Sequence, residues 1–140
     1  FSEAILAYER VWHGYPRRAY SSDVAFRRAY CMMRLARTAP RDQGACRAAL
    51  SALAGFLSDY PQSPHVEEAR KHLDQVKDRL ARMFFQQAEF YDRIAGRPES
   101  ALIAYRDFLA RFPASDQADT ARNRIMALER KLAHSHAEQD

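Results

Sequence analysis

Glycine is scarce in this chain, four in 140 residues, and the β-branched residues Val, Ile and Thr are few. Ala, Leu, Arg, Glu and Gln carry the sequence instead, which argues against a strand-rich fold and for helix. No run approaches the roughly 20 apolar residues that a membrane-spanning helix needs. Two cysteines, Cys31 and Cys46, are too few for a disulfide framework or a cysteine-ligated metal centre. Cys31 falls on an apolar stripe and reads as a buried free thiol, a bridge staying open if the compartment is oxidising. No glycine-rich phosphate loop occurs, and no Ser/His/Asp order suits catalysis. His134 and His136, two apart on a helix, point in different directions, while His65 and His72, seven apart, lack a third ligand. His13, beside Trp12, reads as a capping or surface residue. Glu67, Glu68 and Glu99 are first-turn acids that suit a helix dipole. The expectation is a protein without catalysis, cofactor or metal.

Charge is present but uneven. The net charge is +4; residues 1–50 hold nine Arg against four acids, and residues 51–140 hold 13 basic against 14 acidic side chains. Arginine outnumbers lysine 19 to 3. The basic third fits a solvated face or an acidic partner surface. Its basic residues alternate with acids and no recognised binding motif accompanies them, so nucleic acid is not an expected partner.

Three prolines, each preceded by an aromatic, organise the chain: Tyr15-Pro16, Tyr60-Pro61 and Phe112-Pro113. Aligned on them without gaps, Ala4, Ala49 and Ala101 coincide, as do Ala7, Ala52 and Ala104. So do Tyr8, Leu53 and Tyr105; Val11, Phe56 and Phe108; and Trp12, Leu57 and Leu109. Beyond the proline, Val24, Ala69 and Ala121 coincide, then Cys31, Val76 and Leu128, then Leu35-Ala36, Leu80-Ala81 and Leu132-Ala133. Before each proline these offsets trace one helical face on which small Ala alternates with a bulky side chain, a surface against which a neighbouring helix locks. Proline ends the first helix and sets the turn into the second. Ser63-Pro64 reads as N-cap and first helical residue, and Ser115 as a second N-cap. Gly14 and Gly96 stand where helix ends need a permissive backbone.

Six helices follow, over about 1–14, 19–38, 43–59, 64–95, 98–111 and 114–135. The fourth, without Gly or Pro from Val66 to Ala95, would be about 45 Å long. Short connections between antiparallel neighbours make this an all-α superhelix of tetratricopeptide-like helix pairs, expected as a single domain over 1–140 within a longer protein. With Pro113 as the closing proline, Ala88 and Tyr91 fill the small and aromatic positions of a first helix, and Ala101 and Tyr105 those of a second. The proline spacings of 45 and 52 exceed the simple repeat.

At helical spacing Phe84, Phe85, Phe90 and Tyr91 read as core, with one exception. Phe85 stands about 100° from Phe84 and is expected on the concave surface where such repeats bind extended peptides. Together with Arg82, Glu89 and Asp92 it forms a candidate binding line; Arg27, Tyr30 and Arg34 form a basic one on the second helix.

A further set of motifs runs through the chain: Phe56-Leu57-Ser58-Asp59-Tyr60-Pro61-Gln62-Ser63, Ala69-Arg70-Lys71 and Lys77-Asp78-Arg79-Leu80-Ala81, then Ala88-Glu89-Phe90-Tyr91, Gly96 and Arg111-Phe112-Pro113-Ala114-Ser115. Through them the stretch from about Pro40 to Leu132 resembles the BamD family of outer-membrane assembly lipoproteins. The resemblance implies the central and C-terminal part of a five-repeat solenoid at the periplasmic face of the outer membrane, tethered through an upstream lipid. It implies as partners the barrel-forming subunit BamA, other assembly lipoproteins and unfolded outer-membrane protein segments. Two features depart from the family: a short loop at Pro40–Gly44, and Ala104 where the family places a basic residue facing the barrel subunit. Arg97 and Arg106 are the nearest substitutes. The alternatives are a periplasmic coordinator of envelope constriction, whose Trp-Leu-Gly-Glu-like motif does not occur here, and a cytoplasmic adaptor for acidic partners, suggested by a pI near 9.3.

Overall fold

The computed structural model describes residues 2–14, 21–39 and 41–139, with the backbone alone for 11–14. Tyr15-Pro16, the side chains of Val11, Trp12 and His13, residues 19 and 20 of the expected second helix, and Pro40 lie outside the described residues. Those described form six α-helices and no strand: α1 (Ser2–Gly14), α2 (Ser21–Thr38), α3 (Gln43–Asp59), α4 (Val66–Glu89), α5 (Pro98–Arg111) and α6 (Ala118–Gln139). A single π turn, Phe90–Ile94, extends α4. This is the all-α helical-repeat fold that the aligned prolines imply. The chain divides into two compact units, Phe1–Leu80 and Ala81–Asp140.

In the first unit, α2 is flanked by α1 and α3 and is met by the first half of α4. Cys46, Ala49, Leu53 and Phe56 recur at helical spacing along α3 and are buried. Burying a Leu or Phe side chain of this kind stabilises by about 1.5–3 kcal/mol. Asp42 caps α3 by accepting a bond from the Ala45 amide at 3.0 Å, which satisfies one of the donors a helix start leaves unpaired. Three residues, His65 just before α4 and His72 and Arg79 within it, fasten this part of the chain to α2. The His65 ring stacks on Phe26 with centroids 4.4 Å apart and its Nε2 lies 2.6 Å from Asp23; His72 meets Tyr30 edge-on; Arg79 donates to the carbonyl of Ala36. Both histidines that the sequence shows without a third ligand are thus packing residues. Cys31 and Cys46 are free and buried.

The second unit repeats the pattern of α3 on α5. Ala101, Tyr105 and Phe108 occupy the places of Ala49, Leu53 and Phe56, and all six are buried. The turns that follow match bond for bond. Tyr60 and Phe112 end their helices at φ −130°, ψ 60° and φ −131°, ψ 59°, each amide donating to the carbonyl of Phe56 or Phe108. Ser63 and Ser115 then donate to the carbonyls of Tyr60 and Phe112, and Val66 and Ala118 to those of Ser63 and Ser115. The repeat is a repeat of hydrogen bonds as well as of letters.

These turns correct the expected helix starts. The Ser63 and Ser115 hydroxyls accept from the amides of His65 and Gln117, two residues on, closing a side-chain turn rather than capping a helix. The first i→i+4 acceptors are the His65 and Gln117 carbonyls, so α4 and α6 begin at Val66 and Ala118. The fourth helix is also not uniformly α-helical to residue 95. Ala95 donates to Phe90, five residues back, and Arg97 to Tyr91, a bond one residue wider than the usual helix-ending motif. Gly96 makes the reversal at φ 60°, where L side chains are disfavoured.

Candidate functional site

The π turn projects in three directions. Inward stands Asp92, its side chain 5 % exposed. Arg124 of α6 donates to both its oxygens at 2.8 Å, and the Tyr105 hydroxyl of α5 donates to Oδ2 at 3.1 Å. The forked guanidinium matches the carboxylate plane, which makes this a strong pair. The bonds from Arg124 hold the Asp92 carboxyl below the usual carboxylate range and bind the Arg124 proton more tightly. Burial, with Asp92 as second cause, pushes the Tyr105 hydroxyl up to about 12. An acid with a depressed pKa, saturated by donors and closed to solvent, is a poor proton acceptor for chemistry. The cluster is a clamp joining three elements.

Beside it, between the end of α4 and α5, opens a cleft of about 450 Å³ lined by Phe84, Gln87, Tyr91, Arg97, Ile103 and Asp107 among others. Ala104, where the resembled family carries its basic residue, also lines it. Arg97 is exposed at the cap of α5, and Ile103 is 68 % exposed. Asp107 is already paired with Arg111 at 3.0 Å. An apolar wall beside a cationic rim suits a protein segment with a carboxylate at its edge.

The expected exposure of Phe85 is overturned. Phe85 is 4 % exposed, its ring edge-on to Tyr105 and Phe108. Asp92 shares its face, as seven-residue spacing requires, but that face is the buried one. Phe84 is also buried, against Phe112 and beneath the Arg111 guanidinium, because the C-terminal half of α5 and its cap cover both rings and widen the buried arc of α4 beyond one stripe. Phe90, expected in the core, is the exposed aromatic at 49 %. Of the remaining residues of that line, Arg82 is exposed and Glu89 half-buried. Arg106 is exposed but bridged to Glu129 at 2.6 Å, leaving Arg97 as the basic residue in the cleft.

On α2, Arg27 is exposed and Tyr30 and Arg34 are half-buried; their spacing of three and four places them on one face. Tyr30 is anchored by Phe26 and His72. Among the described residues no group of three His, Cys, Asp or Glu is placed to hold a metal, and no helix is long and apolar enough to cross a membrane. The clamp went unread in the sequence because Arg124 and Asp92 lie 32 residues apart; the one available signal was an acid on the same helical face as Phe85.

A family described as outer membrane lipoprotein matches residues 1–96. A tetratricopeptide repeat matches residues 82–115, the stretch from the end of α4 through the π turn and α5 to the turn after Phe112. No curated protein matches the chain.

Proposed function

The chain belongs to the outer membrane lipoprotein family of BamD type, and from that premise we propose that it is a non-catalytic scaffold of the outer-membrane β-barrel assembly machinery. In this reading it stands at the periplasmic face of the outer membrane on a lipid anchor. Its second unit docks the periplasmic domains of the barrel-forming subunit, and the α2 line of Arg27, Tyr30 and Arg34 takes segments of unfolded outer-membrane proteins. The observation that supports it best is the α4–α5 cleft, which lies in the matched tetratricopeptide repeat and joins an exposed Ile103 to an unbridged Arg97. The Asp92 carboxyl, held low by its bonds from Arg124, serves the clamp, in keeping with binding rather than turnover.

A pull-down against the periplasmic domains of the barrel subunit from the same organism tests this. Capture by the wild type, lowered about tenfold or more by Arg97→Glu with Ile103→Asp, is expected, as truncating a central contact commonly costs that much. Equal capture by the variant moves docking away from the cleft. No capture by the wild type rejects the barrel subunit as partner.

A further inference from the structure

The outward face of α4 and its π turn carries a second surface, separate from the cleft. Met83, Gln86, Phe90 and Ile94 stand at i, i+3, i+7 and i+11, on the side turned away from buried Phe85 and Ala88. Ile94 is 76 % exposed and Phe90 49 %. Four residues fall just short of a full π turn, so the widened geometry keeps Ile94 close above Phe90. Arg82 and Arg93, eleven residues apart and both exposed, border this strip along one edge. Arg82 has no hydrogen bond or ion pair among the described residues, and Arg93 none beyond its field on Asp92. Met83 is half-buried, and Glu89, also half-buried, stands between the two arginines on the same edge; two solvated guanidiniums against one acid leave that edge net cationic beside the exposed Phe90 and Ile94, a setting that suits carboxylates.

We propose that this strip docks an amphipathic, acidic helix of a partner protein, its apolar side chains on Met83, Phe90 and Ile94 and its carboxylates on Arg82 and Arg93. The inference rests on the reading of the chain as a protein-binding repeat, but on a different face from the cleft. Its length decides the size of the occupant. Eleven residues at 1.5 Å each give about 16 Å, three turns of a partner helix, with anchors at i, i+3 or i+4 and i+7. Its chemistry decides the sign: guanidinium forks pair carboxylates with two parallel bonds. A lipid surface is disfavoured because Gln86 interrupts the strip. Its amide finds hydrogen-bond partners on a protein but costs energy among acyl chains.

The test uses the full chain and synthetic three-turn peptides in fluorescence anisotropy. One peptide carries leucines at the anchor spacing with glutamates along one edge; the control replaces the glutamates with lysines. The glutamate peptide should bind about tenfold or more tighter than the lysine peptide, with an advantage that shrinks as salt rises. Arg82→Glu with Arg93→Glu should reverse the preference. Phe90→Ser with Ile94→Ser should weaken both peptides while leaving the thermal melt unchanged, since neither residue is buried. Equal affinity for the two peptides overturns the proposal. So does binding to phosphatidylglycerol vesicles without peptide binding, or a self-association in sedimentation that Ile94→Ser abolishes. Arg97→Glu, which reads out the cleft, should leave peptide affinity unchanged, so that failure here and failure of barrel-subunit docking are told apart.

Discussion

Replacing Asp92 by Asn removes the charge at the centre of the clamp while keeping its shape. Two charge-assisted bonds from Arg124 and one bond from Tyr105 converge on this carboxylate. Bonds to a charged group contribute about 1.5–3 kcal/mol each and neutral ones about 1. The Arg124 side chain is 36 % exposed, so water recovers much of what its guanidinium loses, and its share is cut by about half. Tyr105 has no such recourse, being fully buried. The expected loss is about 3 kcal/mol, which at roughly 3 °C per kcal/mol lowers the melting temperature by about 10 °C. Because the partners sit on α5 and α6, the loss should appear in amide exchange of the second unit and spare α2 and α3. A cycle with Arg124→Met isolates the pair and should show coupling of about 2 kcal/mol. A loss under about 1 kcal/mol, or additivity in the cycle, would refute the clamp. The pH dependence carries a definite sign. The folded carboxyl lies below its unfolded value of about 3.9, so its stabilisation is complete above about pH 5 and is lost as pH falls through the folded value. Asp92→Asn should flatten that acid limb.

Tyr105 gives the opposite limb: with its pKa pushed from 10 to about 12, its contribution is full below about pH 10 and lost as pH rises through the folded value, and alkaline melts of Tyr105→Phe should lack this fall. Gly96→Ala should cost about 1–2 kcal/mol from the left-handed backbone alone, since a Cβ there meets nothing within 4 Å; a melt unchanged from wild type would contradict the positive φ. Burial raises the Cys46 thiol and Cys31 is also buried, so a thiol reagent should label both at a rate that follows opening of the first unit in urea; fast labelling of either in buffer would sink that description.

The architecture was legible because the repeat is local. An aromatic before proline, with Ala twelve residues earlier, fixes a helix end and its face without reference to any other part of the chain, and α3 and α5 carry the expected boundaries to the residue. Gly96 was legible for the same reason, being the residue a reversal needs. The helix starts at Val66 and Ala118 were not. Ser-x-x before a helix reads equally as an N-cap or a side-chain turn, and Pro64 favoured the wrong choice. Phe85 failed on a tertiary fact: periodicity shows that Phe85 and Asp92 share a face, but which face is covered depends on where α5 lies. The π turn left no local mark, since Phe90–Ile94 has ordinary helical composition.

That unmarked segment is where the two proposed binding surfaces of the second unit meet their support. Within five residues the π turn sends Tyr91 to the cleft, Phe90, Arg93 and Ile94 to the outer strip, and Asp92 into the clamp with α5 and α6. A π turn adds one residue to a helical turn and is common at functional sites; here it serves one inward anchor and several outward side chains in a single short segment. Rigid presentation lowers the ordering cost of association, which otherwise consumes much of the energy of a contact. The buried Asp92 charge therefore has a role that an apolar residue of equal volume would not fill. A hydrophobic replacement could match its contribution to stability, but only a carboxylate with two bonds from Arg124 and one from Tyr105 fixes both the position and the rotation of the turn that carries Phe90, Tyr91 and Ile94.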